Sequence, residues 1–130
     1  MAATRHETEK ARIGRLGEEA ALALLARAGL KVVAQNWRSG SYELDLVAEG
    51  RGVLCFVEVK TRRAGSLTSP EEALTRPKIR SLQHAARAFL AASGNRYDRH
   101  RVQFDLVAVT YDAQEQMQAE RIEDAFDFNW

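Results

Sequence analysis

Apolar residues recur along the chain with two different periods, and the longer period predicts two helices. From residue 12 to residue 28 the spacing of apolar positions is helical, and Gly29 ends the helix. A second helix has Pro77 in its first turn and Thr75 as its N-cap, and it ends at residues 93–95. Polar residues precede the first helix, so we expect residues 1–11 to form a flexible N-terminal lead-in.

The shorter period predicts strands in five further stretches, one of which, Val53–Lys60, is rich in β-branched and aromatic residues. These stretches are Leu30–Trp37, Tyr42–Ala48, Val53–Lys60, Arg101–Tyr111 and Met117–Ile122. Short connections join the first three strands into an antiparallel meander, and the second helix is long enough to return the fourth strand parallel to the third. The predicted fold class is α/β, with three α-β-α layers and a central mixed sheet of four to five strands, in a single domain from residue 12 to residue 130.

The second and third strands carry the acidic residues that indicate chemistry. With residues 49–52 as their connection, Asp45 would lie opposite Phe56 and diagonally across from Glu58 on the same face. Lys60 follows Glu58 by two residues and would point to the same side of the sheet. A charged pair in an apolar strand is costly unless each group has a partner. Two interpretations stay open, a buried Glu58–Lys60 ion pair or a cation shared by the two carboxylates.

Glu18, on the first helix, is a third candidate ligand. The apolar arc of this helix is expected to centre near Leu24 and Ala28, with Glu18 at its edge. Its carboxylate could therefore reach the acids of the two strands. The alternative is an exposed carboxylate that pairs with Arg15 on the same helix.

Carboxylate oxygens of this kind suit Mg²⁺ or Mn²⁺, which keep several waters and bind phosphate oxygens. Such an ion polarises a phosphodiester and lowers the pKa of a bound water. Lys60 could then position that water or stabilise charge that develops on the phosphate.

Composition narrows the class of protein. With 45% apolar and 28% charged residues in 130, the chain has the make-up of one folded domain. Cys55 is the only cysteine, which excludes an internal disulfide, and we expect it to be a core thiol. No stretch approaches the roughly 20 apolar residues that span a bilayer, and residues 1–12 are too polar for a signal peptide. We therefore expect a cytoplasmic protein that does not contact the membrane.

The net charge is only +1, but the charges are unevenly distributed. Basic residues concentrate between positions 60 and 80, and acidic residues concentrate after position 112. These segments could be two solvated faces, or the basic one could hold the backbone of a nucleic acid. The candidate phosphate contacts are Arg62, Arg63, Arg76, Lys78 and Arg80.

Several blocks of sequence resemble the YraN family of uncharacterised bacterial proteins, in the family's order, from Ile13 to Phe126. The blocks are Gly17–Ala21, Asn36–Arg38, Glu43–Val47, Phe56–Arg62, Pro70–Ala73, Lys78, Phe104–Asp105 and Ala125–Phe126. The resemblance implies a restriction-endonuclease-like fold of the PD-(D/E)XK superfamily, similar to Holliday-junction resolvases, with residues 12–130 as one endonuclease-like domain.

The resemblance also assigns roles by position. Asp45 matches the metal-binding Asp of the superfamily, Glu58 its second acid and Lys60 its catalytic lysine. Glu18 matches a helix-borne Glu of resolvase-like members. One position departs from the family pattern, because Tyr42 stands where the family usually has glycine, and its ring would alter the mouth of the site.

The resulting hypothesis is a Mg²⁺- or Mn²⁺-dependent nuclease that hydrolyses phosphodiester bonds in DNA, with branched or structured DNA as a candidate substrate. Glu18, Asp45 and Glu58 would ligate the metal ion, and Lys60 would complete the catalytic set. A homodimer is expected because cutting two strands usually needs two active sites. Two rivals remain: a nucleic-acid-binding protein with little or no hydrolytic activity on the same fold, and a protein-interaction module that uses the acidic, aromatic C terminus.

Three other polar residues admit two interpretations each. Glu43 could be a further ligand or a solvated acid. Asp105 could be catalytic or could pair with an arginine, and the structural role is favoured. Gln103 could contact the site from the neighbouring strand.

Overall fold

Two helices pack on opposite faces of a five-stranded mixed sheet in the computed structural model, which describes residues 7–127. The elements are α1 (Glu9–Arg27), β1 (Lys31–Ser39), β2 (Tyr42–Gly50), β3 (Val53–Arg63), a 3₁₀ turn (Pro70–Ala73), α2 (Arg76–Ala92), β4 (Arg101–Tyr111) and β5 (Met117–Phe126). The strands lie in chain order, with β3 and β4 parallel and the other neighbours antiparallel. The predicted three-layer α/β fold with a mixed sheet is confirmed.

β3 is buried on both faces, and its side chains alternate between two cores. Leu54 and Phe56 pack under α2, against Leu82 and Phe89. Cys55 and Val57 belong to the core under α1, together with other side chains from the sheet and the helix. A strand covered on both sides reads as a nearly continuous apolar run, which is why its position was clear from the sequence.

α1 begins earlier than predicted. The hydroxyl of Thr8 accepts the N–H of Ala11 at 3.0 Å, which caps a helix that starts at Glu9. Part of the predicted lead-in is therefore helical, and residues 1–6 of it lie outside the described residues. The predicted centre of the apolar arc is also wrong, because Ala28 is exposed. The buried stripe consists of Ile13, Gly17, Ala21 and Leu25.

Close packing at Gly17 helps to determine which face α1 turns to the sheet. A Cβ on Gly17 would lie 1.9 Å from Oγ1 of Thr61, so only glycine permits this approach of α1 to β3. Close packing thus determined the rotation of the helix, whereas the prediction weighed hydrophobicity alone.

The connection between β2 and β3 consists of two residues, not the predicted four. Arg51 and Gly52 both have positive φ angles, 54° and 76°, as a tight hairpin turn requires. Gly50 belongs to β2, where a Cβ would lie 2.9 Å from the carbonyl oxygen of Gly29. That glycine serves close packing in a strand, and the prediction took it for part of the turn.

The shorter turn changes the register of the hairpin. Phe56 pairs with Val47, and the last pair of the ladder is Leu46 with Val57. The prediction that Asp45 lies opposite Phe56 is therefore wrong by two positions. The ladder ends at that last pair, so Asp45 lies beyond it rather than opposite a residue of β3, but its side chain still interacts with that of Glu58.

The later elements differ from the prediction only at their ends. β3 continues to Arg63, so the loop begins at residue 64 rather than at Thr61, and β5 continues to Phe126. The N-cap of α2 is confirmed, since the hydroxyl of Thr75 accepts the N–H of Lys78 at 3.3 Å.

Candidate active site

Asp45 lies where β2 and β3 separate. It is the first residue beyond the last backbone pair of the two strands. Its Oδ2 accepts the N–H of Val59 at 2.9 Å, so the side chain replaces the backbone acceptor that an unbroken ladder would supply. This hydrogen bond therefore holds the carboxylate at the point where the two strands separate.

Glu58 is the most perturbed acid at this point of the sheet. Burial, followed by the hydrogen bond with Asp45 and repulsion from it, raises the pKa of Glu58 to about 8. The cation that opposes this shift is Lys78 on α2, whose Nζ lies 2.9 Å from Oε2 of Glu58. The alternative of a buried Glu58–Lys60 ion pair is therefore not formed. Residues two apart on a strand are roughly 6.6 Å apart, so a residue of the covering helix is the better partner.

Glu18 reaches the sheet from α1. Its Oε1 accepts a hydrogen bond of 3.2 Å from Nδ2 of Asn36, a β1 residue with a φ of 48°. Burial, and then repulsion from Asp45, raises the pKa of Glu18. Arg15 pairs with Glu7 and Glu19 instead of Glu18, so the alternative of a local helix pair is not formed.

A cavity of about 600 Å³ opens between α1 and the sheet, and it contains three of the four predicted catalytic residues. Glu18, Asp45 and Lys60 line it together. Lys60 is exposed and has no ion pair within residues 7–127. Glu58 joins this group through Asp45 while Lys78 holds it from the side of α2.

The three predicted metal ligands are not preassembled. Within residues 7–127, no three Asp, Glu, His or Cys side chains are close enough together to hold a metal ion as they stand. The donor chemistry nevertheless fits a hard divalent cation, because burial and then the neighbouring Asp45 raise the pKa of both Glu18 and Glu58. A divalent cation bound beside Asp45 would favour the charged form of these carboxyl groups.

The five predicted phosphate contacts fall into two groups. Arg62 donates to the carbonyl oxygen of Thr68 at 2.7 Å and so braces the loop after β3, and Lys78 is paired with Glu58. The other three are exposed and have no ion pair in the described part of the chain. They are Arg63, Arg76 and Arg80.

The sequence analysis gave no role to several residues that line the cavity, among them Glu9, Lys10 and Tyr111. Lys10 fell in the predicted lead-in, although Thr8 followed by Glu9 is the signature of a helix start and could have extended α1. Tyr111 ends β4, and no local pattern distinguishes it from any aromatic residue of a strand.

The remaining polar candidates have structural partners. Asp105 is buried, with Nη2 of Arg121 at 2.8 Å and Nε2 of Gln103 at 2.8 Å, so the structural interpretation of Asp105 holds, and Gln103 contacts Asp105 rather than the cavity. Glu43 pairs with Arg38 at 3.3 Å.

Tyr42 and Cys55 also lie apart from the cavity. Tyr42 stacks on His84 of α2, with ring centroids 5.1 Å apart, which directs the unusual side chain away from the residues that line the cavity. Cys55 is fully buried, and burial raises the pKa of its thiol to about 12. The expectation of a core thiol is therefore correct.

Fold and site define a three-layer α/β protein with an acidic cluster where two central antiparallel strands separate. The chain belongs to the uncharacterised protein family UPF0102, the YraN family, whose model matches residues 17–109. A UPF0102 protein of Oleidesulfovibrio alaskensis is 51% identical over 100 residues, which are 77% of this chain and 48% of that protein. A UPF0102 protein of Nitratidesulfovibrio vulgaris is 47% identical over 127 residues, which are 98% of this chain and 89% of that one.

Among solved structures, the chain is similar to a FdxN element excision controlling factor protein from Anabaena variabilis. That likeness has a TM-score of 0.38 at 18% identity, and it covers 83% of this chain and 98% of the other. Neither helix in residues 7–127 has the length and apolarity needed to cross a membrane.

Proposed function

We propose that this protein is a Mg²⁺- or Mn²⁺-dependent nuclease that hydrolyses phosphodiester bonds in DNA. One observation carries the proposal: Asp45 interacts with both Glu18 and Glu58, and burial together with this neighbour raises the pKa of each. Acids that crowd one another at an open cavity are a functional arrangement more often than a stabilising one.

Glu18, Asp45 and Glu58 would hold the ion, which when bound polarises the phosphodiester and makes its bound water more acidic. The chain's own residues have distinct tasks. The N–H of Val59 fixes Asp45, and Lys78 opposes the rise in the pKa of Glu58. Lys60, exposed in the same cavity, stabilises the charge that develops on the phosphate.

Three exposed arginines, at positions 63, 76 and 80, supply phosphate contacts beside the site. Branched or otherwise structured DNA is the proposed substrate, and the cytoplasm is the proposed location. A homodimer is the proposed working form, because cutting two strands usually needs two active sites.

The test is cleavage of labelled duplex, forked and four-way DNA by the purified protein with Mg²⁺, with Mn²⁺ or with a chelator. We expect metal-dependent products, and we expect Asp45→Asn to lower the rate by at least about a hundredfold, as loss of a central electrostatic group does. Asp98→Asn is the matched control, because Asp98 is exposed in the turn before β4 and lies outside the site. Equal cleavage by Asp45→Asn and the wild type would refute the assignment of the site.

Calorimetric titration with Mn²⁺ separates the nuclease from its rival. A nuclease of this kind should release or absorb heat on binding Mn²⁺, and Asp45→Asn should lose that signal. DNA binding without any Mn²⁺ signal and without products would instead identify a DNA-binding protein that lacks hydrolytic activity.

A further inference from the structure

We propose that the cavity between α1 and the sheet binds one nucleotide of single-stranded DNA, with its base against Tyr111 and its phosphate at Lys10 and Lys60. This inference rests on the proposed function and specifies the form of the substrate, a strand that is unpaired at the site.

The size of the cavity selects a nucleotide over a duplex. Its volume of about 600 Å³ lies within the range of about 300–1,000 Å³ that is typical of sites for single small ligands. A base pair held in a double helix could not enter such a space, whereas an unpaired nucleotide could.

An apolar and aromatic surface lines the part of the cavity near the end of β4. Tyr111 is half-buried there, and Ile13 of α1 and Val59 of β3 line the same space. The backbone of Tyr111 is held firmly, since its carbonyl oxygen accepts the N–H of Ala64 at 2.8 Å and its strand pairs with Arg63 of β3. An aromatic side chain on a firmly held backbone, beside apolar side chains, is the kind of surface on which an unpaired base stacks.

The cations of the cavity are placed for a phosphate group. Lys10 and Lys60 line the cavity from opposite walls, α1 and β3, and both are exposed. Neither takes part in an ion pair within the described range, so their charge is available to a ligand. Asp45 and Glu18 line the same cavity, which brings a phosphodiester held by the lysines next to the proposed catalytic acids.

The test is a binding experiment in the Asp45→Asn chain with a chelator present, so that neither hydrolysis nor a metal ion enters the measurement. The probes are a fluorescein-labelled DNA strand of about ten nucleotides, within the usual range of single-strand site sizes, and the duplex of the same sequence. Anisotropy is recorded over a series of salt concentrations. We expect the single strand to bind more tightly than the duplex.

Tyr111→Leu should weaken binding of the single strand about tenfold, as loss of one base–aromatic stack does, and should leave duplex binding unchanged. Tyr111→Phe keeps the ring and should keep the affinity, which separates stacking from a defect in folding. Lys10→Gln should reduce the slope of log K against log salt by about 0.7, the value for one phosphate contact with a single strand.

Matched controls lie outside the cavity: Tyr42→Leu, whose ring stacks on α2, and Lys31→Gln, at the exposed start of β1, should change neither quantity. Duplex binding as tight as single-strand binding, or equal affinities for Tyr111→Leu and Tyr111→Phe, would overturn the inference. Because no metal or cleavage is involved, this outcome is distinguishable from failure of the proposed nuclease activity.

Discussion

Glu58 is largely buried, with Asp45 beside it on β2 and Lys78 beside it on α2. Burial and then Asp45 raise its pKa, and Lys78 opposes the rise. Its pKa of about 8 in the folded chain, against an ordinary value near 4.5, means that between these pH values the folded chain holds a proton that the unfolded chain has released. The free energy of unfolding therefore falls as the pH rises through this window.

We predict that Glu58→Gln removes this fall. One pKa unit corresponds to about 1.4 kcal/mol, so the wild type should lose on the order of a few kcal/mol between pH 5 and pH 8 that the variant keeps. Urea unfolding at a series of pH values measures the difference. Glu72→Gln, at an exposed position, should follow the wild type. Identical pH profiles for Glu58→Gln and the wild type would contradict the assigned environment of Glu58.

The ion pair of Glu58 shows what can and cannot be predicted from the spacing of residues in the sequence. A buried carboxylate needs a cation, and that requirement was visible in the sequence. The choice between Lys60 and Lys78 was not, because it depends on how α2 lies across the sheet. Lys78 was expected to contact DNA, and nothing within its own helix indicated the ion pair.

Asp105 makes a second buried ion pair, remote from the candidate site. Its side chain is 0% exposed and that of Arg121 is 18% exposed. We predict that Arg121→Met costs about 3–5 kcal/mol of unfolding free energy, because it leaves a buried carboxylate without its cation. Arg101→Met breaks an exposed pair with Asp124 and should cost about 1 kcal/mol or less. Urea unfolding compares the two variants, and similar losses would show that burial of Asp105 is not the decisive factor.

At the scale of elements, helices and strands were predictable because each has a strong apolar period, and the order of the strands followed from the lengths of the connections. The register of the β2–β3 hairpin was not predictable. Gly50, Arg51 and Gly52 offer two turn positions, and only the contact of Gly50 with the residues after α1 decides between them. The expected contact between Asp45 and Glu58 is present all the same.

Contact between α1 and β3 gives a prediction at this scale. In Gly17→Ala, the new Cβ would lie 1.9 Å from Oγ1 of Thr61, so α1 must move away from the sheet and carry Glu18 with it. We expect a loss of about 1–3 kcal/mol of unfolding free energy, the usual cost of overpacking. Thr61→Ala removes the nearest clashing atom and should restore part of the loss.

The same helix supplies the control. Gly14 lies one turn before Gly17, and a Cβ there meets nothing within 4 Å. Gly14→Ala should therefore stabilise the protein, by up to about 1 kcal/mol from helix propensity alone. Thermal unfolding of both variants measures the contrast. Destabilisation by Gly14→Ala of the same size as that by Gly17→Ala would mean that the close approach of α1 to Thr61 is not the cause.

Across the whole molecule, the site combines side chains from α1, β2, β3 and α2, which are far apart in the sequence. The acids could be named in advance because their types and order match a known family pattern. The cavity could not, since Lys10 and Tyr111 come together only through the packing of α1 over the end of the sheet.

The proposed metal site joins α1 to the sheet, so binding of a metal ion there should show in the stability of the whole protein. A ligand that binds only the folded chain adds RT ln(1 + [L]/Kd), which is about 2.7 kcal/mol at a hundredfold excess over Kd. We predict that Mn²⁺ raises the Tm of the wild type and of Asp98→Asn, and leaves that of Asp45→Asn unchanged. An equal rise in Asp45→Asn would place the binding of Mn²⁺ elsewhere on the protein. The carboxylate of Asp45, which interacts with both Glu18 and Glu58, would then contribute nothing to that binding.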